Sequence, residues 1–156
     1  MTSTAEPTVR RGAGLARGLA SAAGLGFLPR APGTFGSLAA ALLGAPLLWL
    51  SPLALAAATL LALLGGLWAV RRAGAAATDP GWVVIDEVAG QWLTLLALRR
   101  PSLLGVALGF ALFRLFDVWK PWPIRWLDRR HDALGVMADD LAAGLFAAAV
   151  LWLVMR

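Results

Sequence analysis

The sequence predicts an all-α protein, an integral membrane bundle of short helices around a polar site that faces the cytoplasm. Its composition is the first observation: of 156 residues, 60% are hydrophobic and 15% are charged, whereas soluble domains are about 45–50% apolar and about 25% charged. The second observation is that residues 31–70 contain no charged side chain. A helix over that whole run would extend about 60 Å, twice the ~30 Å hydrocarbon core, so the run indicates two membrane crossings.

A helical hairpin accounts for these two crossings. Ser51-Pro52 interrupts the uncharged run, and proline is favoured at the start of a helix, so we expect helices at residues 34–50 and 52–70. Three later apolar segments also predict helices, at residues 88–98, 101–116 and 141–154. Each of the three is shorter than the ~20 residues of a comfortable crossing, which indicates that neighbouring charges enter the protein at membrane depth.

The basic residues predict the orientation. Arginine-rich flanks prefer the cytoplasm, which places the N terminus, Arg71-Arg72 and residues 117–138 inside. Arg99-Arg100 then lies outside, against that rule, unless the helices on either side form a re-entrant pair, and both arrangements stay open. We expect residues 1–23 to be a basic, flexible tail and residues 24–156 to form one membrane domain. The net charge of +5 comes from arginines scattered at helix ends, a pattern that favours lipid head groups over nucleic acid.

The acidic residues are concentrated in one part of the chain. Eight of the nine lie between positions 79 and 140. Two doublets, Asp86-Glu87 and Asp139-Asp140, are each predicted to open a helix that carries a glycine about one turn later, Gly90 and Gly144 respectively. Because small residues let neighbouring helices approach closely, we expect the two doublets to lie together.

Two interpretations of these acids are possible. One is helix capping, since carboxylates are favoured in a first turn. The other is a divalent-metal site, because ionisable groups at membrane depth are costly and usually functional. The chain has no cysteine and one histidine, and oxygen ligands select Mg²⁺, Mn²⁺ or Ca²⁺. The candidate metal ligands are Asp86, Glu87, Asp117, Asp139 and Asp140.

Two further segments are candidates for binding phosphate. The loop at residues 26–37 leads into the first membrane helix, where free amides and the positive helix end suit an anion, although a plain turn capped by Thr34 explains it equally well. Residues 113–128 interleave cations with aromatic side chains, as would an interfacial segment with snorkelling cations. The candidate phosphate-binding residues are Pro32, Gly33, Thr34, Gly36, Ser37, Arg114, Lys120 and Arg125.

Three motifs resemble the phosphatidylglycerophosphatase A family of bacterial membrane phosphatases. The first is Leu-Pro-Arg-Ala-Pro-Gly-Thr-Phe-Gly-Ser-Leu at residues 28–38, and the second is Val-Ile-Asp-Glu-Val-Ala-Gly-Gln-Trp at residues 84–92. The third begins at Phe113, contains Trp-Lys-Pro-Trp-Pro-Ile-Arg at residues 119–125 and ends with Asp-Asp-Leu-Ala-Ala-Gly at residues 139–144. Together the motifs cover most of residues 24–145.

The resemblance implies a helical fold in the bacterial inner membrane and an Mg²⁺-dependent phosphatase. Its substrate would be phosphatidylglycerol phosphate, a phospholipid of the surrounding bilayer, with no nucleic acid involved and no protein partner indicated. Asp86, Asp140 and Lys120 would be catalytic, and water is favoured over an aspartate as the attacking group. A cation transporter with buried carboxylates and a non-catalytic membrane scaffold are the alternatives.

Overall fold

Helices make up the ordered framework of the chain. The computed structural model describes residues 7–156. Over this range there are seven α-helices, one short 3₁₀-helix at Leu25–Phe27 and no strand, which confirms the all-α prediction. The helices are α1 Pro7–Ala20, α2 Pro32–Leu50, α3 Pro52–Arg72, α4 Ile85–Leu95, α5 Leu103–Trp119, α6 Ile124–Asp128 and α7 Ala133–Val154.

Helices α2, α3 and α7 are long and apolar enough to cross a membrane. The predicted hairpin of α2 and α3 is confirmed: Ser51 separates the two helices, and its hydroxyl accepts a hydrogen bond of 3.1 Å from the Leu53 amide. Proline follows as the first residue of α3. The start of α2 differs from the prediction, because Pro32 rather than Thr34 opens the helix and Ala31 occupies the cap position.

The start of α7 corrects a prediction. The helix begins at Ala133 instead of residue 141, because the Asp132 carboxylate accepts a 2.7 Å hydrogen bond from the Gly135 amide and caps it. Asp139-Asp140 therefore lies inside the helix, and the prediction that this doublet opens a helix is wrong. The other doublet, Asp86-Glu87, lies in the first turn of α4 as predicted.

Helix α4 lies inside the bundle. Eight of its eleven residues are buried, and it contacts α2, α3, α5 and α7. A helix of that length extends about 16 Å, too little to cross the ~30 Å core. Helices α2, α4 and α7 begin at one end of the bundle and α3 and α5 end there, so the predicted motif segments share that end.

The segment predicted as a flexible tail contains α1. Ala16 and Ala20 of this helix are fully buried, and α1 contacts α3. The Val84 amide donates a 2.9 Å hydrogen bond to the Ala20 carbonyl, which ties α1 to the start of α4. Small side chains on one face allow this packing despite the low hydrophobicity of the segment. The division of the chain at residue 24 stays a prediction.

Helices α4 and α7 cross in near backbone contact. A Cβ atom on Gly90 would lie 2.5 Å from the Asp140 carbonyl oxygen, and one on Gly144 would lie 2.5 Å from the Gly90 carbonyl oxygen. The Thr94 hydroxyl lies 3.0 Å from the Gly90 carbonyl oxygen and 3.2 Å from the Gly144 carbonyl oxygen, and its one proton is shared between these two acceptors. The glycines thus produce the close approach that the sequence predicts.

Replacing Gly90 with alanine is expected to destabilise the protein by about 1–3 kcal/mol, the usual effect of overpacking a tight core. Gly18→Ala is the matched control, since nothing lies within 4 Å of its added methyl and helix propensity favours alanine. Thermal unfolding of the detergent-solubilised variants measures both. Equal unfolding temperatures for the two variants would contradict the tight crossing.

Candidate active site

A polar pocket of about 340 Å³ lies at the end of the bundle where α2, α4 and α7 begin. It is lined by six carboxylate residues and two cationic residues, together with backbone and apolar groups. The lining consists of Pro32, Gly33, Asp79, Pro80, Gly81, Val83, Asp86, Glu87, Arg114, Asp117, Val118, Lys120, Asp139 and Asp140. All five predicted metal ligands therefore meet in one pocket, and so do two of the three predicted cations.

Three of the carboxylates form a tight cluster. One oxygen from each of Asp86, Glu87 and Asp140 lies within 4.8 Å of the others. Asp86 and Asp140 are 7% and 4% exposed. The second oxygen of Glu87, Oε2, is buried without a hydrogen-bond partner in the part of the chain that the structure describes. Clustered charges of one sign repel each other unless a cation or a proton neutralises them, and hard oxygen donors suit a divalent ion. The cluster therefore fits a metal ion.

The other two predicted ligands, Asp117 and Asp139, already have cationic partners. Arg114 forms an ion pair with Asp117, one helical turn away on α5. Lys120 donates a 2.6 Å hydrogen bond to Asp139 and also pairs with Asp128. The five carboxylates thus divide into a group of three and two ion-paired members, and a ligand role for Asp117 and Asp139 stays a prediction.

Lys120 occupies a special backbone position. It follows the last residue of α5 with a φ of 46°, a left-handed conformation that ends the helix and that few residues other than glycine adopt. Burial lowers the pKa of its ammonium group, but hydrogen bonds to Asp128 and Asp139 outweigh burial and raise the pKa above its ordinary value. Lys120 therefore keeps its positive charge at the edge of the carboxylate cluster.

The predicted phosphate loop reaches the pocket only through Pro32 and Gly33. A Cβ atom on Gly33 would lie 2.1 Å from Oε1 of Glu87 and 3.3 Å from the Arg114 guanidinium, so a side chain there would displace these two groups of the pocket. Ser37 is fully buried and donates a 2.7 Å hydrogen bond to the Gly33 carbonyl, one turn from the pocket. The remaining predicted phosphate-binding residues, Thr34, Gly36 and Arg125, also lie outside the pocket lining.

Asp79 lies in the site although the sequence did not identify it as a candidate residue. Asp79 lines the pocket and has a φ of 39°, and burial raises the pKa of its carboxyl group. The signal was its place among the eight clustered acids, but the absence of an adjoining apolar helix made it resemble an ordinary loop residue.

The polar interior also extends one turn beyond Glu87 along α4. Gln91 is fully buried there, and neither of its amide atoms has a hydrogen-bond partner among the described residues.

Comparison with known proteins identifies the family. The family model for Phosphatidylglycerophosphatase A matches residues 18–155. The chain belongs to this family. It is 38% identical to Phosphatidylglycerophosphatase A of Escherichia coli strain K12 over 139 residues, which cover 87% of this chain and 81% of that protein. It is 37% identical to the Haemophilus influenzae protein of the same name over 138 residues, covering 86% and 85% of the two chains.

The description of a third relative names a different lipid phosphatase activity. The chain is 37% identical over 132 residues to a Bacteroides thetaiotaomicron protein described as "Putative phosphatidylinositol-3-phosphatase", covering 80% of this chain and 83% of that one. No solved structure matches the chain. Membership in the phosphatidylglycerophosphatase A family makes this protein a membrane phosphatase, so the transporter and scaffold interpretations are set aside.

Proposed function

We propose that this phosphatase hydrolyses the terminal phosphate monoester of phosphatidylglycerol phosphate to phosphatidylglycerol and inorganic phosphate. The main support is the pocket itself, in which Asp86, Glu87 and Asp140 gather beside two cations. The names of the E. coli and H. influenzae relatives support this substrate. We propose Mg²⁺ as the ion held by the three clustered carboxylates, since their donor set contains oxygen alone.

The reaction requires a water oxygen to form a bond to phosphorus while the bond from phosphorus to the terminal glycerol oxygen breaks. The electron pair of that bond goes to the glycerol oxygen, which takes up one proton and becomes the hydroxyl of the product, while the attacking water releases one proton and its OH becomes part of inorganic phosphate. When bound, Mg²⁺ would offset the charge of the phosphate dianion and orient the attacking water. The protein contributes Asp86, Glu87 and Asp140, whose carboxylates would bind the cation. Without a bound cation, these carboxylates would repel the phosphate dianion.

The two cations of the pocket have complementary roles in this proposal. The ammonium group of Lys120 has three hydrogen-bond donors. It can keep its hydrogen bond to Asp139 and replace the one to the partly exposed Asp128 with a hydrogen bond to a phosphate oxygen. Arg114 lies next to Glu87 and Gly33 and would contact a second phosphate oxygen. Charge that develops on these oxygens in the transition state is stabilised by donors already fixed in place.

We also propose that the pocket faces the cytoplasm in the bacterial inner membrane. The segments at the pocket end include Arg71-Arg72 and residues 117–138, which are rich in arginine, and such segments are retained in the cytoplasm. The opposite end carries the hairpin tip at Ser51. The exposed tryptophans Trp119, Trp122 and Trp126 would hold the pocket end at the membrane interface.

Phosphate release from a panel of lipid phosphate monoesters tests the proposed function. The purified protein should hydrolyse phosphatidylglycerol phosphate faster than phosphatidic acid or phosphatidylinositol 3-phosphate. EDTA should abolish turnover and Mg²⁺ should restore it. Asp140→Asn should remove activity and weaken binding of Mn²⁺, measured by electron paramagnetic resonance, because one ligand charge is lost.

Asp132→Asn is the matched control for that variant, since Asp132 is half-exposed and asparagine still caps a helix. Full activity in excess chelator would refute the metal site. Faster hydrolysis of phosphatidylinositol 3-phosphate would assign the protein the activity named for the Bacteroides relative.

Lys120→Ala is expected to lower kcat by about 10²–10³-fold, the effect of removing one fixed electrostatic stabiliser. KM and the amount of protein in the membrane should change little in comparison. Arg130→Ala serves as the control, because Arg130 lies on the same surface and pairs only with the half-exposed Asp132 among the described residues. A kcat for Lys120→Ala within threefold of the wild type would remove this lysine from the mechanism.

Single cysteines test the orientation, and the chain has no native thiol to confuse labelling. His131→Cys, in an exposed loop at the pocket end, should react with a membrane-impermeant maleimide only after the cells are opened. Ser51→Cys, at the hairpin tip between α2 and α3, should react in intact cells. Labelling of His131→Cys from outside would reverse the proposed orientation.

A further inference from the structure

A second pocket lies on the same pair of helices as the active site. Its volume is about 280 Å³, and it is lined by Leu42 and Ala45 of α2 and by Pro101, Ser102, Leu103 and Val106 at the start of α5. The active-site pocket uses the opposite ends of these helices, Pro32 and Gly33 of α2 together with Arg114 and Val118 of α5. Helices α2 and α5 contact each other and run in opposite directions. Both pockets therefore lie beside the α2–α5 contact, toward its opposite ends; this contact is here called the seam, and the second pocket the seam pocket.

The seam pocket lies at the depth that one lipid tail reaches. From Gly33 at the active site, Leu42 and Ala45 are nine and twelve residues along α2, which corresponds to about 14 and 18 Å at 1.5 Å per residue. Half of the ~30 Å hydrocarbon core is about 15 Å. A chain that hangs from a head group at the active site would thus end at the seam pocket.

The chemistry of the seam also suits a lipid tail. The seam pocket has no charged residue in its lining and only one polar side chain, Ser102. At the active-site end of the seam, Val118 lines the pocket and 72% of its surface is exposed. The acidic pocket therefore has an apolar edge beside α5. A molecule with an anionic head and an apolar tail matches the two ends of the seam.

We propose that the α2–α5 seam binds an acyl chain of the phospholipid substrate, with the phosphate in the acidic pocket and the tail in the seam pocket. This inference rests on the proposed function and adds the path by which the lipid reaches the site. The enzyme then binds its substrate from within the membrane, sideways between α2 and α5, and discriminates between lipids by tail length as well as by head group.

Another apolar groove provides a matched control. It has a volume of about 290 Å³ and is lined by Leu19, Ala58, Leu61, Ala62, Ile85, Val88 and Trp92. Helix α4 separates this groove from the active site: Ile85 packs against Gly66 of α3, whereas Gly90 packs against α7. The groove is as apolar as the seam pocket and of similar size, but it is lined by α1, α3 and α4 and by no residue of α2 or α5.

The experiment compares Ala45→Phe in the seam pocket with Ala58→Phe in the control groove, two alanines of similar partial exposure. The measured quantity is the ratio of kcat/KM for dihexadecanoyl phosphatidylglycerol phosphate to that for the dihexanoyl lipid, whose chains are too short to reach Ala45. A phenyl ring in the seam pocket should lower this ratio about tenfold, mainly through KM for the long-chain lipid. Ala58→Phe should leave the ratio at the wild-type value.

A second pair of variants tests the same two positions without requiring the protein to fold with a bulky side chain there. Ala45→Cys and Ala58→Cys add a single thiol to a chain that has none, and N-benzylmaleimide then fills each groove after the protein has folded. Modification at position 45 alone should lower the ratio. An unchanged ratio there, or an equal decrease at position 58, would refute the seam as the tail site. A wild-type protein inactive on both lipids would instead refute the proposed function, and the inference with it.

Discussion

The close crossing of α4 and α7 is the constraint on which the rest of the site depends. Gly90 and Gly144 bring the two backbones into contact, and a Cβ atom at either position would lie 2.5 Å from a carbonyl oxygen of the other helix. Because Asp86 and Glu87 lie one turn before Gly90, and Asp140 lies one turn before Gly144, the same contact brings three carboxylates together. The cluster is therefore a product of helix packing, and its geometry is as rigid as the helices that carry it.

Such a cluster conflicts with the ordinary rules of a membrane protein interior, where unpaired charges are strongly disfavoured. The structure resolves part of the conflict by pairing Asp117 with Arg114 and Asp139 with Lys120. Asp86, Glu87 and Asp140 have no cationic side chain paired with them in the described range. Local conflicts of this kind are typical of functional sites, and here the conflict marks the place where a cation fits.

The sequence was informative wherever one local signal decided the structure. Ser51-Pro52 predicted the hairpin, and the glycines after the acidic doublets predicted the meeting of α4 and α7. It failed where two signals competed. Asp132 caps α7, so the helix starts earlier than its apolar stretch suggested.

The other two differences from prediction have separate causes, one local and one long-range. Ser37 turned inward to its own helix instead of the pocket, and Asp79 entered the site from a loop whose path depends on contacts distant in sequence. The Ser37 bond to the carbonyl four residues earlier is a local helix contact, whereas no local pattern predicts the position of Asp79.

The chain order has a consequence for biogenesis: while the ribosome has released only α1 to α5, the nascent protein contains Asp86 and Glu87 without Asp140. The catalyst is thus assembled in a single late event, when α7 inserts beside α4, and a translation intermediate in the bilayer has no complete acidic cluster with which to capture metal.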